Sequence, residues 1–223
     1  MELTPELLPH AWLRGAWWVY AALALPLLWR MPWYWLRRAG MPLRFAAFTV
    51  AVLVLWRMRA VLGDGPPVHF LGATALTLAF GPALAALSLS LVLCGATLRA
   101  GAGFAAFGVN GLLLVLLPVA FSYAWARAVE RLLPPHVFVY FFVAAFFGAA
   151  LTAAVSALSV CALLAVAGQV SPVALFDNYL PTSVLLLFPE AFLSGGFVTL
   201  AVAYKPRWLV SFRDRDYLRE RRD

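Results

Sequence analysis

The chain reads as a succession of apolar runs separated by short breaks marked by Gly, Pro or basic residues. A helical membrane span needs about 20 predominantly apolar residues. The first run, Trp12 to Trp29, is interrupted by Pro26 and rich at its flanks in Trp12, Trp17, Trp18, Trp29, Trp33 and Trp35, as expected at a headgroup boundary. The second, Leu43 to Val61, has Arg57 and Arg59 close to its end, where they must snorkel or line a polar interior. The third, Phe70 to Leu98, contains Gly81-Pro82. Proline removes a rung from the helical ladder, so the pattern predicts a break there and two helices instead of one. Phe104 to Trp125, Val137 to about Ala167, and Leu180 to Tyr204 complete the series. The run from Val137 exceeds the hydrocarbon thickness and must tilt or protrude. With the third run split, the expected fold is an all-α, polytopic membrane bundle of about seven helices. It forms one transmembrane domain over residues 1–210, followed by a charged cytoplasmic tail at 211–223.

Composition supports that pattern. The 223 residues are 64% hydrophobic and 12% charged, against roughly 45–50% and 25% in soluble domains. This excludes an ordinary soluble enzyme and a disordered chain. The net charge of +7 is read as orientation of the spans, with no nucleic-acid partner. With seven spans and the tail inside, 13 of the 17 basic residues face inward and 4 outward; with six spans the division is 12 to 5. Both arrangements put the C-terminus in the cytoplasm. Seven spans put the N-terminus outside and six put it inside, and charge alone does not choose between them. Glu2 and Glu6 occupy the place of a basic n-region, so no cleavable signal peptide is expected. The expected location is a cell membrane, as a multi-pass protein of the bacterial inner-membrane type. Cys94 and Cys161 lie within apolar runs without a CxxC spacing and read as small buried hydrophobes. Small residues such as Ala47, Ala51, Gly95, Gly108, Gly111, Gly148 and Gly195 allow close helix approach in lipid, within the bundle or toward a membrane partner.

The chain has no GxxxxGK[ST], HExxH or GxSxG, so any transport draws its energy from an ion gradient or a separate ATPase. No enzyme activity is expected. Polar groups within the apolar background are few, and each is costly unless paired. His69 opens a span after the turn-forming 63–67 loop that carries Asp64; imidazole is a common ligand of nickel, cobalt, copper and zinc, and also an ordinary interfacial hydrogen bonder. Asn110, among small residues, suits a bond between helices. Glu190 lies inside the last span, either with Arg57, Arg59 or a partner chain as counter-charge, or protonated and structural. Met1 and His10 belong to the N-terminal segment.

Taken in order, these residues resemble a known family. Val68-His69-Phe70-Leu71-Gly72-Ala73 and Phe80-Gly81-Pro82-Ala83-Leu84-Ala85 are similar to the "GHLLG…LGPWAA" signature of the CbiM/NikM-type cobalt/nickel permeases. Phe104 to Gly111 resembles "LTALGANVLNMG", and Met41-Pro42-Leu43 through Trp56-Arg57-Met58 resembles the family's preceding span. Tyr179-Leu180-Pro181 and Pro189-Glu190-Ala191-Phe192 through Lys205-Pro206 resemble "HLPIALVEGLLTALV…RPELL". The likeness covers about residues 40–210. It implies seven spans with the N-terminus outside. It also implies the substrate-capturing subunit of an energy-coupling factor transporter, with a transmembrane coupling subunit and cytoplasmic ATPases as partners. Nickel or cobalt would be cargo, with no covalently bound cofactor. By this resemblance His69 and Asn110 match the family's later His and its Asn. The family opens Met-His-Ile-Pro-Asp-Gly, with the terminal amine and the His joining the metal. This chain opens Met1-Glu2-Leu3-Thr4-Pro5, so Met1 carries over, the His does not, and His10 or Glu2 would have to substitute. A membrane scaffold derived from the family, without cargo, is the alternative reading.

Overall fold

The structure, a computed structural model, describes residues 2–60, 67–101 and 103–212. Met1, Asp64 and the tail from 213 onward therefore lie outside the described residues. The chain is helical almost throughout: α1 (His10–Trp29), α2 (Trp33–Leu36), α3 (Met41–Leu55), α4 (Ala73–Phe80), α5 (Pro82–Ala100), α6 (Phe107–Leu132), α7 (Val139–Ala167) and α8 (Ala174–Tyr204). Five of these, α1, α5, α6, α7 and α8, are long and apolar enough to cross a membrane. α3 has 15 residues and α4 has 8, about 22 and 12 Å of helix.

Several boundaries differ from the sequence expectation. The second run does not stay helical to Val61. α3 ends at Leu55, and Arg59–Ala60 (β1) pairs antiparallel with Val68–His69 (β2), Arg59 opposite His69. The ladder takes up backbone groups that a longer helix would have used internally. α1 continues through Pro26 to Trp29, without the bond that a Pro26 N–H would have made to the turn before. The break at Gly81-Pro82 forms as expected. Gly81 has φ 80° and ψ 167°, a conformation open to glycine, and α5 starts at Pro82. Pro82 has no N–H for the Leu78 carbonyl. That carbonyl instead accepts the Ser211 N–H and hydroxyl at 3.3 and 2.9 Å, and the Ala79 carbonyl accepts the Val210 N–H at 3.2 Å. The segment after α8 thus closes the open end of α4.

Glycines allow a close helix contact. A Cβ at Gly108 would lie 2.6 Å from the Trp17 backbone, and one at Gly111 would lie 2.5 Å from the Tyr20 ring. α1 consequently docks on the start of α6, where Trp17 stacks on Phe107 at 5.3 Å, and on α5, where Tyr20 bonds Ser90 at 2.7 Å. Most other α1 side chains are exposed, including Trp18 and Trp29, the surface lipid would cover. The buried core runs through α4, α5, α6 and α7.

Candidate metal centre

Three pieces of chain meet at the end of the bundle where α4 and α6 begin: residues 2–8, the β1–β2 ladder, and the segment from His69 to Gly72. His69 is 0% exposed. Its ring lies on Trp56, centroids 4.3 Å apart. Nδ1 is 2.8 Å from the Phe70 carbonyl oxygen. A carbonyl only accepts, so Nδ1 carries the hydrogen and Nε2 presents its lone pair. Nε2 is buried and has no hydrogen-bond partner among the described residues. Burial holds the imidazole well below its ordinary range, which keeps it neutral, the form that binds metals.

The backbone beside His69 is held on both sides. The Trp56 indole N–H donates to the Leu71 carbonyl at 3.3 Å. The two Glu190 carboxylate oxygens accept the Leu71 and Gly72 N–H groups at 2.9 and 2.8 Å. Gly72 turns the chain into α4 with φ +68°, and a Cβ there would come within 3.1 Å of Val52.

The N-terminal segment is tied down separately. Asn110 accepts the Leu3 N–H at 2.8 Å and donates its amide to the Leu3 carbonyl at 2.9 Å. Glu2 pairs through Oε2 with Arg59, the residue opposite His69 on the ladder, while Glu2 Oε1 is buried with no partner among the described residues. A cavity of about 290 Å³ adjoins this segment, lined by Glu2, Leu3, Arg59, Phe107 and Asn110 among others. A second cleft, about 740 Å³, lies at the opposite end of α4 and α6, between Gly81, Arg127, Glu130, Pro134 and Ser211.

The structure therefore brings His69, Glu190 and Asn110 to one end of the bundle. It connects them through the 69–72 backbone on one side and through Arg59, Glu2 and Leu3 on the other. His10 is exposed at the start of α1, and Arg57 is exposed beyond α3. The expected pairing of Glu190 with Arg57 or Arg59 does not form: its carboxylate is taken by two backbone amides, and Arg59 is engaged by Glu2. Among the described residues no three His, Cys, Asp or Glu side chains cluster as a ready metal cage. Sequence reasoning missed Trp56 and the Glu2–Arg59 pair. Trp56 lies 13 positions before His69, and nothing in its local pattern announces the contact. The left-handed glycine directly after His69-Phe70-Leu71 was the one legible cue that the backbone turns there.

A helical bundle with five spans of this length and this apolar surface defines a multi-pass membrane protein. The chain belongs to the CbiM family, the cobalt uptake substrate-specific transmembrane region, which it matches over residues 3–208. Two crystal structures share its fold. One is of a transition metal transporter, 18% identical, covering 92% of each chain with a TM-score of 0.67. The other is of a truncated transition metal transporter, 19% identical, covering 92% of this chain and 97% of the other with a TM-score of 0.64. No curated protein sequence matches the chain. The chain is a membrane component of metal uptake, a transporter and not an enzyme, and the metal is its cargo.

Proposed function

We propose that this chain is the substrate-capturing subunit of an energy-coupling factor transporter and takes a divalent ion of the cobalt or nickel class through His69. The observation that carries the reading is the buried imidazole whose Nδ1–H is spent on a backbone carbonyl while Nε2 has no partner among the described residues. Metal-ligating histidines are oriented in this way, by a bond from the other ring nitrogen. A ligand set completed by the N-terminal segment, Met1 included, fits Asn110 and Arg59 anchoring residues 2 and 3 beside His69. His10 is the secondary candidate ligand, and Asp64 and Arg57 are substrate-path or structural polar residues.

In this reading α3 and the half-length α4 join the five long helices to make seven spans. The His69 end then faces outward, and the C-terminus lies in the cytoplasm, as the distribution of basic residues favours. Residues 1–210 form the membrane domain and 211–223 a charged tail. Capture at His69 is followed by release inward when a transmembrane coupling subunit and cytoplasmic ATPases drive rearrangement, since the chain has no nucleotide-binding motif of its own.

Calorimetric titration of the purified chain with Co(II), Ni(II) and Zn(II) tests the proposal. Binding is expected, and His69→Ala should abolish it. No binding of any of the three refutes metal capture. Glu2 standing where the family has His, and being engaged by Arg59, favours a second reading, a scaffold subunit without cargo. That reading gains if the titration is flat while a membrane partner co-purifies with the chain.

A further inference from the structure

We propose that Glu190, on the last span, is a positioning residue for His69: its carboxylate fixes the backbone that aims the imidazole Nε2, without touching the metal. This rests on the reading of His69 as a ligand.

An acidic side chain inside a span is costly unless its oxygens are satisfied. Glu190 is 3% exposed, and each of its oxygens accepts one backbone N–H, at 2.9 Å from Leu71 and 2.8 Å from Gly72. Leu71 is thereby held at both of its polar groups, its N–H by Glu190 and its carbonyl by the Trp56 indole. Trp56 in turn lies against the His69 ring. The segment from His69 to Gly72 has little freedom left: α8 grips it through a carboxylate, the end of α3 grips it through an indole, and β1 pairs it through Arg59. A two-residue strand leading into an eight-residue helix has little local structure of its own to hold a ligand's direction. A carboxylate suits the task because it offers two acceptor oxygens and no donor, and the segment presents two parallel N–H groups. Glutamine has the same shape but one acceptor, and it would set its own N–H₂ against the second backbone N–H.

The test uses Co(II) alone on the full chain in detergent. It compares the parent, Glu190→Gln and His69→Ala by calorimetric affinity, by the visible Co(II) spectrum, and by the metal-free thermal unfolding midpoint. Partners that orient ligands typically cost roughly 10–100-fold in metal affinity when altered. That loss is expected for Glu190→Gln, with a changed Co(II) spectrum. A role confined to holding the fold would lower the metal-free midpoint and leave the affinity and spectrum of the folded protein unchanged; that outcome overturns the proposal. If His69→Ala abolishes binding while Glu190→Gln binds within twofold of the parent, the positioning role fails and the ligand reading stands. If His69→Ala binds like the parent, the ligand reading fails first. Should Glu190→Gln not yield monodisperse protein, Glu190→Asp, whose shorter arm reaches one amide, takes its place. The same affinity loss supports the proposal and unchanged affinity overturns it.

Discussion

Replacing Asn110 with Ala should release the N-terminal segment while leaving the helix bundle folded. The Asn110 side chain makes two bonds to one residue, accepting the Leu3 N–H at 2.8 Å and donating to the Leu3 carbonyl at 2.9 Å. Leu3 is buried, so water does not reach either group while the segment stays docked. An unsatisfied buried polar group costs about 1–3 kcal/mol, and two of them place the docked state about 2–6 kcal/mol higher. At 1.4 kcal/mol per factor of ten, the docked-to-released ratio falls by about thirtyfold or more. The Glu2–Arg59 pair, partly exposed, offsets no more than about 1 kcal/mol. Because the released amide and carbonyl regain water, the loss appears as local opening and not as global unfolding. Hydrogen exchange by mass spectrometry measures it directly. Peptides from residues 2–8 should exchange at least thirtyfold faster in Asn110→Ala, with α6 and α7 unchanged. Unaltered protection at Leu3 would refute the claim that this side chain holds the segment, as would uniform loss of protection across the bundle.

Gly108→Ala places a methyl 2.6 Å from the Trp17 backbone, where no flexible side chain can yield; α1 must shift, and a stability loss of about 1–3 kcal/mol is expected in thermal unfolding, with little change on Gly196→Ala, where the space is open. Gly72→Ala combines φ +68° with a 3.1 Å approach to Val52 and should cost about 1–2 kcal/mol for the left-handed backbone alone, read as a lowered unfolding midpoint together with weaker Co(II) binding. Burial lowers the His69 pKa, so below the unfolded value of about 6.5 the unfolded chain binds a proton that the native one does not. Stability from this group is therefore complete above that pH and falls as the pH drops below it, by up to about 1.4 kcal/mol per unit; His69→Gln should flatten the difference in unfolding midpoint between pH 7 and pH 5.5, and an identical slope in both proteins would count against a neutral buried imidazole.

The membrane class was legible in the sequence because bilayer thickness imposes a length and a composition on every span, and both are local properties of the chain. The helix break was legible for a similar reason: Pro82 lacks an N–H wherever it stands, and Gly81 beside it admits the backbone the break needs. His69, Asn110 and Glu190 stood out because polar residues are scarce among so many apolar ones. Their partners were not legible. Glu190 reads either with an arginine or a partner chain as its counter-charge, or as protonated and structural. The fold instead brings two amide groups from 118 and 119 residues away, donors that every residue carries and no sequence pattern marks. The same holds for Trp56 on the imidazole, for Asn110 on Leu3 across 107 positions, and for the end of the second run, where pairing of Arg59–Ala60 with Val68–His69 displaced the last helical turn. Apolar periodicity and backbone chemistry act within a few residues and can be read along the chain. Hydrogen bonds between distant segments exist only once packing has set those segments side by side, so the orientation of the candidate ligand was decided by the tertiary structure alone.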